Sequence, residues 1–336
     1  MIPGLTVSIY FVVLILINLI FFKNYKTISK FLNVYDYPDN KRKTHKNPTP
    51  LIGGFIILIV SVYCILFTLI FDQKLFLFNS YNELLVFLIV TFLFFIVGLL
   101  DDKYEINHNL KLILFTIFII LLMIFDKDLI LQNINFTFRE NFFDLGFLSY
   151  FFSILCFLLF INAFNMIDGI NGQAVTYTIF LLIVLITNNI QMIYFISLIF
   201  TLIIFLIFNF NTKMFLGDSG TLLIGFIISY FFIKSYNNNN IFYSDEIVLI
   251  MLVPGFELLR LAIFRIFKKK HPFKADRNHI HHLILKKHKF LNTFIIIQIL
   301  FILPYILFGY LDNSIIILIF TFILYSLIIY RYSSIK

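Results

Sequence analysis

Apolar runs of fifteen to twenty-one residues recur along this 336-residue chain, at 5–22, 51–71, 84–100, 111–125, 147–163, 174–188, 191–210, 220–236, 247–267, 291–309 and 314–330. About 20 such residues in a helix cross a hydrocarbon core of ~30 Å. Continuous runs, rather than alternating ten-residue segments, favour helices over a β-barrel. Charged residues make up only 13% of the chain, against roughly a quarter in soluble domains. The expectation is an all-α integral membrane protein. It is a polytopic bundle of about eleven transmembrane helices forming one domain over 1–336. Runs 111–125 and 174–188 are the shortest. Cys64 and Cys156 fall inside runs, where they read as packing residues and not as a disulfide or metal framework.

No basic residue precedes the first run, and Lys23 and Lys26 follow it. That polarity argues against a cleaved leader and predicts an outside N-terminus and a cytoplasmic C-terminus. In that orientation 22 of the 26 Lys and Arg lie on the cytoplasmic side, as the positive-inside rule requires. All seven histidines fall in the same loops. A basic face can be purely topogenic or lipid-binding, so chemistry has to be argued from the acids and amides beside it.

Four segments on that face carry such groups. Asp101-Asp102 ends an apolar run, and adjacent carboxylates there suit Mg²⁺ with phosphate, or a solvated helix end. Gly217-Asp218-Ser219-Gly220 opens a run, so its free backbone N–H groups are expected to face a ligand; a plain turn is the bland alternative. The stretch Asn162 to Gly172 holds Asn162, Asn165, Asp168 and Asn171. Its Asp-Gly and Asn-Gly pairs are ordinary turn formers, yet the density of donors and acceptors suits a nucleobase, a ribose or a metal. The run Asp276 to His282 follows three lysines and His271. Imidazolium and guanidinium suit an anion better than zinc here, because eight basic residues in that loop repel a dication; a plain basic loop is the other reading.

Together these motifs resemble the polyprenyl-phosphate N-acetylhexosamine-1-phosphate transferases (glycosyltransferase family 4), over Arg42 to His282. Lys43-Thr44-His45 with Pro48 to Gly54 is similar to the family's first cytoplasmic motif. Asp101-Asp102 with Lys111 matches its aspartate pair and phosphate-binding lysine. Asn162 to Gly172 is similar to NxxNxxDGxDG, and Gly217 to Gly220 to GDxGS. Asp276 to Leu283 resembles the DRxHIHHxL signature of the bacterial undecaprenyl-phosphate GlcNAc-1-phosphate branch. Three positions depart from the pattern: Asn171 for a second aspartate, Glu257 for an aspartate, and Thr221 for a serine.

The resemblance implies transfer of N-acetylhexosamine-1-phosphate, GlcNAc-1-phosphate first, from a UDP-sugar to undecaprenyl phosphate. UMP leaves, and the lipid-pyrophosphate-sugar that initiates a surface polysaccharide remains. Asp101, Asp102, Asp168 and His279 are its catalytic residues by that analogy. Lys43, His45, Lys111, Asn162, Asn165, Asn171, Arg277, His281 and His282 bind substrate, and Asp218 with Asn165 holds Mg²⁺, for which Mn²⁺ can substitute. The active site is expected in the cytoplasmic loops 23–50, 101–111, 162–173, 211–220 and 268–290 of a bacterial inner-membrane protein. UDP-N-acetylhexosamine, undecaprenyl phosphate and the bilayer are its expected partners, with no nucleic acid and with a homodimer left open. Two other readings are the phospho-MurNAc-pentapeptide translocase and a transporter. For the transporter, the relevant groups are Glu257 and Arg260, which sit inside a run three residues apart and can pair on one helical face.

Overall fold

The computed structural model describes residues 3–38, 47–71, 78–188, 192–238, 243–272 and 278–333. The helices and strands, in chain order, begin with α1 (Pro3–Leu32), β1 (Tyr35–Asp36), β2 (Thr49–Pro50), α2 (Gly53–Ile70), α3 (Tyr81–Tyr104) and α4 (His108–Phe125). Then come β3 (Asn133–Ile134), β4 (Phe143–Asp144), α5 (Ser149–Met166), α6 (Gln173–Thr187), α7 (Met192–Phe210) and α8 (Gly217–Asn237). The last are α9 (Ser244–Ile250), α10 (Leu252–Phe267), α11 (Ile280–Leu285), α12 (Phe290–Leu311) and α13 (Ser314–Ser333).

Within the described residues, each apolar run is helical over most of its length. Among the described residues, nine helices are long and apolar enough to cross a membrane, and α9 with α10 makes a tenth if that bent pair is one span. The α6 helix has only 15 residues. The expectation of about eleven spans therefore meets nine or ten that satisfy length and composition.

The break in the ninth run has a local cause. Pro254 has no N–H to give Ile250 four residues earlier, so the helix cannot run straight through. Tyr177 donates its hydroxyl to the Ile250 carbonyl instead, and α9 and α10 meet at 68°.

The chain packs as two compact units. The first contains Met1–Asp126 and Leu182–Ile227. There α2 packs on α1, α3 and α7, and α3 packs on α4. Hydroxyls join these helices inside the apolar interior: Tyr10 meets Cys64 Sγ at 2.8 Å and Ser197 Oγ at 2.5 Å, and Tyr194 donates to Ser61 Oγ at 2.9 Å. Such bonds between helices are worth about 0.6–2 kcal/mol each in a membrane setting. Phe94 stacks on Phe115 at 4.9 Å and on Phe226 at 4.5 Å, which fixes α3 against α4 and the first half of α8.

The second unit contains Lys127–Leu181 and Ile228–Lys336. There α10 packs on α5, and α12 packs on α9, α11 and α13. A short antiparallel β3–β4 pair joins Asn133 to Asp144. The buried carboxylate of Asp245, in the first turn of α9, accepts from Thr137, which ties α9 to the segment after β3. Exposed Ile315, Ile316 and Ile319 on α13, like Leu16, Leu19 and Ile20 on α1, are the surface a helix presents to lipid.

Candidate active site

In the first unit, two motifs about 160 residues apart in sequence are joined by backbone hydrogen bonds. Phe215 donates to the Pro50 carbonyl at 2.8 Å, Gly53 donates to Phe215 at 3.1 Å, and Gly54 donates to Leu216 at 3.3 Å. The segment Pro48 to Gly54 is thus the bed on which Gly217-Asp218-Ser219-Gly220 lies. Two glycines make that approach feasible. A Cβ on Gly54 would come within 2.5 Å of the Ser219 carbonyl carbon, and one on Gly98 of α3 would overlap the Ser219 backbone.

Gly98 lies one turn before Asp101-Asp102, so its close packing carries that pair to the start of α8. The two aspartates then part. Asp102 Oδ1 accepts the Asp218 N–H at 2.7 Å and Oδ2 accepts the Ser219 N–H at 3.0 Å. Gly217 takes φ +72° beside it, where a Cβ would come within 2.7 Å of Asp102 Oδ2. The sequence reading expected the first N–H groups of this helix to be open to a ligand; those of Asp218 and Ser219 are instead capped by Asp102. The Asp218 side chain is half-buried, and its negative charge acts on Asp102.

Asp101 faces the other way and is buried. Its Oδ1 accepts the Ile106 N–H at 2.8 Å and its Oδ2 pairs with the Lys111 ammonium. This clasp closes the turn between α3 and α4, after Glu105 ends α3 in the left-handed region at φ +50°.

In the second unit the amide-rich stretch joins α5 to α6. Asn162 donates to the Leu158 carbonyl one turn back at 2.7 Å, and Asn165 and Asn171 are half-buried while Asp168 is exposed. Gly172 at φ +81° turns the chain into α6. Gln298 of α12 donates to the Gln173 carbonyl at 3.0 Å and holds that entry in place. Gly169 lies against the His281 ring, and a Cβ there would overlap the imidazole. The structure thus brings the Asp168-Gly169 turn and the histidine segment into contact.

His281 is buried, and burial first, then the imidazoles of His282 and His279, holds its pKa well below the usual histidine value. It is a neutral ring at pH 7, so what it offers is a hydrogen bond and not a charge. Its ring stacks on His279 at 5.3 Å and meets His282 edge-on at 4.3 Å. Among the described residues no group of three or more His, Cys, Asp or Glu is arranged to hold a metal ion.

Sequence reasoning missed what moors this segment. Glu257 is buried in α10 and accepts from Tyr325 of α13, from Arg260 at 2.9 and 3.2 Å, and from the Ile280 N–H at 2.9 Å. Arg260 donates to the Asn278 carbonyl at 2.6 Å. The expected i, i+3 pairing of Glu257 and Arg260 is present, and the pair a transporter would need is engaged in holding α11. Lys43, His45 and Arg277 lie outside the described residues.

Residues 84–236 match the family model described as Glycosyl transferase family 4. The chain is 27% identical over 287 residues to a probable undecaprenyl-phosphate N-acetylglucosaminyl 1-phosphate transferase of Bacillus subtilis, covering 83% of this chain and 77% of that protein. It is also 27% identical over 299 residues to the undecaprenyl-phosphate alpha-N-acetylglucosaminyl 1-phosphate transferase of Escherichia coli K12, covering 84% and 77%. A similarly named protein of Yersinia pestis is 27% identical over 297 residues, covering 84% and 78%.

Proposed function

Because residues 84–236 match the model of glycosyl transferase family 4, we propose that the chain is a member of that family and transfers N-acetylhexosamine-1-phosphate, with GlcNAc-1-phosphate first, from a UDP-sugar to undecaprenyl phosphate. The observation that carries this reading is the Asp102–Asp218 pair at a glycine turn in a membrane protein, beside relatives named for that transfer. An oxygen of the lipid phosphate forms a bond to the β-phosphorus. The bond from that phosphorus to the bridging oxygen breaks, and UMP leaves carrying the oxygen.

A phosphate monoester has its second pKa near 6, so the nucleophile is mostly ionised at pH 7. Positioning and charge neutralisation are therefore the larger contributions, with proton abstraction a minor one. Asp102 fixes the backbone of Asp218, and the Asp218 carboxylate is the one that would meet the reactants. Two carboxylates close enough to repel one another are a hard-oxygen donor set that fits Mg²⁺, which fills its shell with one or two carboxylates, water and phosphate oxygens. Asp218 would hold that ion, for which Mn²⁺ can substitute. When bound, the ion supplies charge stabilisation to the diphosphate.

Lys111, released from Asp101, receives a phosphate oxygen. Asp168 and Asn171 contact the uridine, and His279 with His281 meets the diphosphate, His281 through a hydrogen bond rather than a charge. With 22 of 26 Lys and Arg assigned to one side, these segments face the cytoplasm, and the product enters a surface polysaccharide pathway. The test is a panel of UDP-sugars with undecaprenyl phosphate and Mg²⁺, reading UMP release by chromatography. Lipid-dependent release with an N-acetylhexosamine donor is expected; flux of solute across liposomes without such release would overturn the reading.

A further inference from the structure

We propose that Glu257 is a positioning residue for this transfer: it holds His279 with its proton on Nδ1, so that Nε2 is the nitrogen presented to the diphosphate. The inference rests on the function proposed above and adds a residue to it. Two contacts on the histidine carry the argument. The guanidinium of Arg265 approaches His279 Nε2 at 3.4 Å, and a guanidinium has donors only. Nε2 must therefore offer a lone pair, which puts the proton of the neutral ring on Nδ1. That nitrogen lies 3.7 Å from Glu257 Oε1, an ion-pair distance longer than a hydrogen bond, so the carboxylate acts on it through its charge.

The carboxylate itself is fixed on every side. Tyr325 and Arg260 donate to it, and its Oε1 also accepts the N–H of Ile280, the residue after His279. One side chain thus anchors the backbone of the histidine segment and faces its first ring. A carboxylate behind Nδ1 stabilises the imidazolium that forms when Nε2 takes a proton. As an anion arrives, Arg265 turns from Nε2 to the phosphate oxygens, and His279 becomes a second donor to it. Among the described residues, the charged and titratable groups around His279 are Glu257 and Arg265 from α10 and His281 and His282 from α11, with Arg260 of α10 and Tyr325 of α13 bonded to Glu257. Asp168 stands next to the glycine that lies against His281.

The test compares kcat/KM against pH for the wild type, Glu257→Gln and Tyr325→Phe, with ¹⁵N-histidine spectra of the same proteins. His279→Gln identifies the His279 signals. Loss of the carboxylate removes the support of the imidazolium, so Glu257→Gln moves the alkaline limb down by about half a unit to one unit. Tyr325→Phe removes a donor that draws charge from the carboxylate and moves the limb up. Glu257→Asp restores part of the wild-type profile. In the spectra, His279 changes its protonated nitrogen in Glu257→Gln only.

If Glu257→Gln lowers activity by one factor at every pH and leaves the His279 signals unchanged, the carboxylate is a structural anchor and the proposal falls. If Glu257→Gln does not fold, the upward shift in Tyr325→Phe decides, and no shift there refutes the assignment. A wild type that transfers no sugar phosphate overturns the proposed function instead, while the spectra still test the tautomer.

Discussion

Asp102 accepts the backbone N–H of Asp218 at 2.7 Å across 116 residues of sequence. With the second bond to Ser219, this makes a carboxylate at the end of one membrane helix the cap of another. The adjacent acids Asp101 and Asp102, equivalent in sequence, hold different partners, since Asp101 is paired with Lys111.

Replacing Asp102 therefore costs stability as well as activity. Asp102→Ala strands two N–H groups at the start of α8, and a lost cap or unpaired buried donor costs about 1–3 kcal/mol. Asp102→Asn keeps an acceptor and recovers part of that loss. Thermal unfolding in detergent separates them: the alanine variant should melt clearly lower than the asparagine variant. Equal melting points for wild type and Asp102→Ala would refute the capping role.

Gly98→Ala is expected to destabilise by about 1–3 kcal/mol, the usual result of overpacking. The added methyl meets the Ser219 backbone, which cannot rotate away. Gly309→Ala is the control, since a Cβ there meets nothing within 4 Å, and it should stay within about 0.5 kcal/mol of wild type. Matching losses in the two variants contradict the close approach of α3 to the glycine turn.

Gly169→Ala pushes on the His281 ring, so it should raise the KM for the nucleotide sugar by displacing the histidine segment. His281→Ala makes room for the methyl. The double variant should accordingly lose less than the two single losses combined, with a coupling of about 0.5–3 kcal/mol. Strict additivity would mean that the turn and the ring do not touch.

His281 also makes a pH statement. Burial and its neighbours lower its folded pKa, while the unfolded value stays near 6.5. The unfolded chain thus binds the proton more readily. The associated stability is fully present above about pH 6.5 and is lost as pH falls below that value toward the folded pKa. Unfolding midpoints measured from pH 7.5 to 5 should show a steeper decline for wild type than for His281→Gln. Parallel slopes would place His281 in solvent.

The helices were legible because apolar runs of helix length admit few alternatives in lipid. The broken ninth span was not read, although Pro254 was there to signal it, because composition hides a missing N–H. Motifs were legible one at a time. The pairing of Pro48–Gly54 with Phe215–Gly220 was not, since it is made by backbone atoms that no side-chain pattern announces. Glu257 could be matched with Arg260 by helical spacing, but Tyr325, 68 residues on, could be found only by packing. The expectation of open N–H groups at α8 failed for a related reason: the acid that fills them comes from α3.

The account is tested most directly by incubating purified protein and Mg²⁺ with UDP-GlcNAc labelled with ³²P at the β-phosphate, with and without undecaprenyl phosphate. Label should pass into the organic-extractable lipid only when the lipid phosphate is present, with UMP released in equal amount, and Asp218→Ala should abolish both. Label that stays in the aqueous phase with active, folded protein, across all N-acetylhexosamine donors, would contradict it.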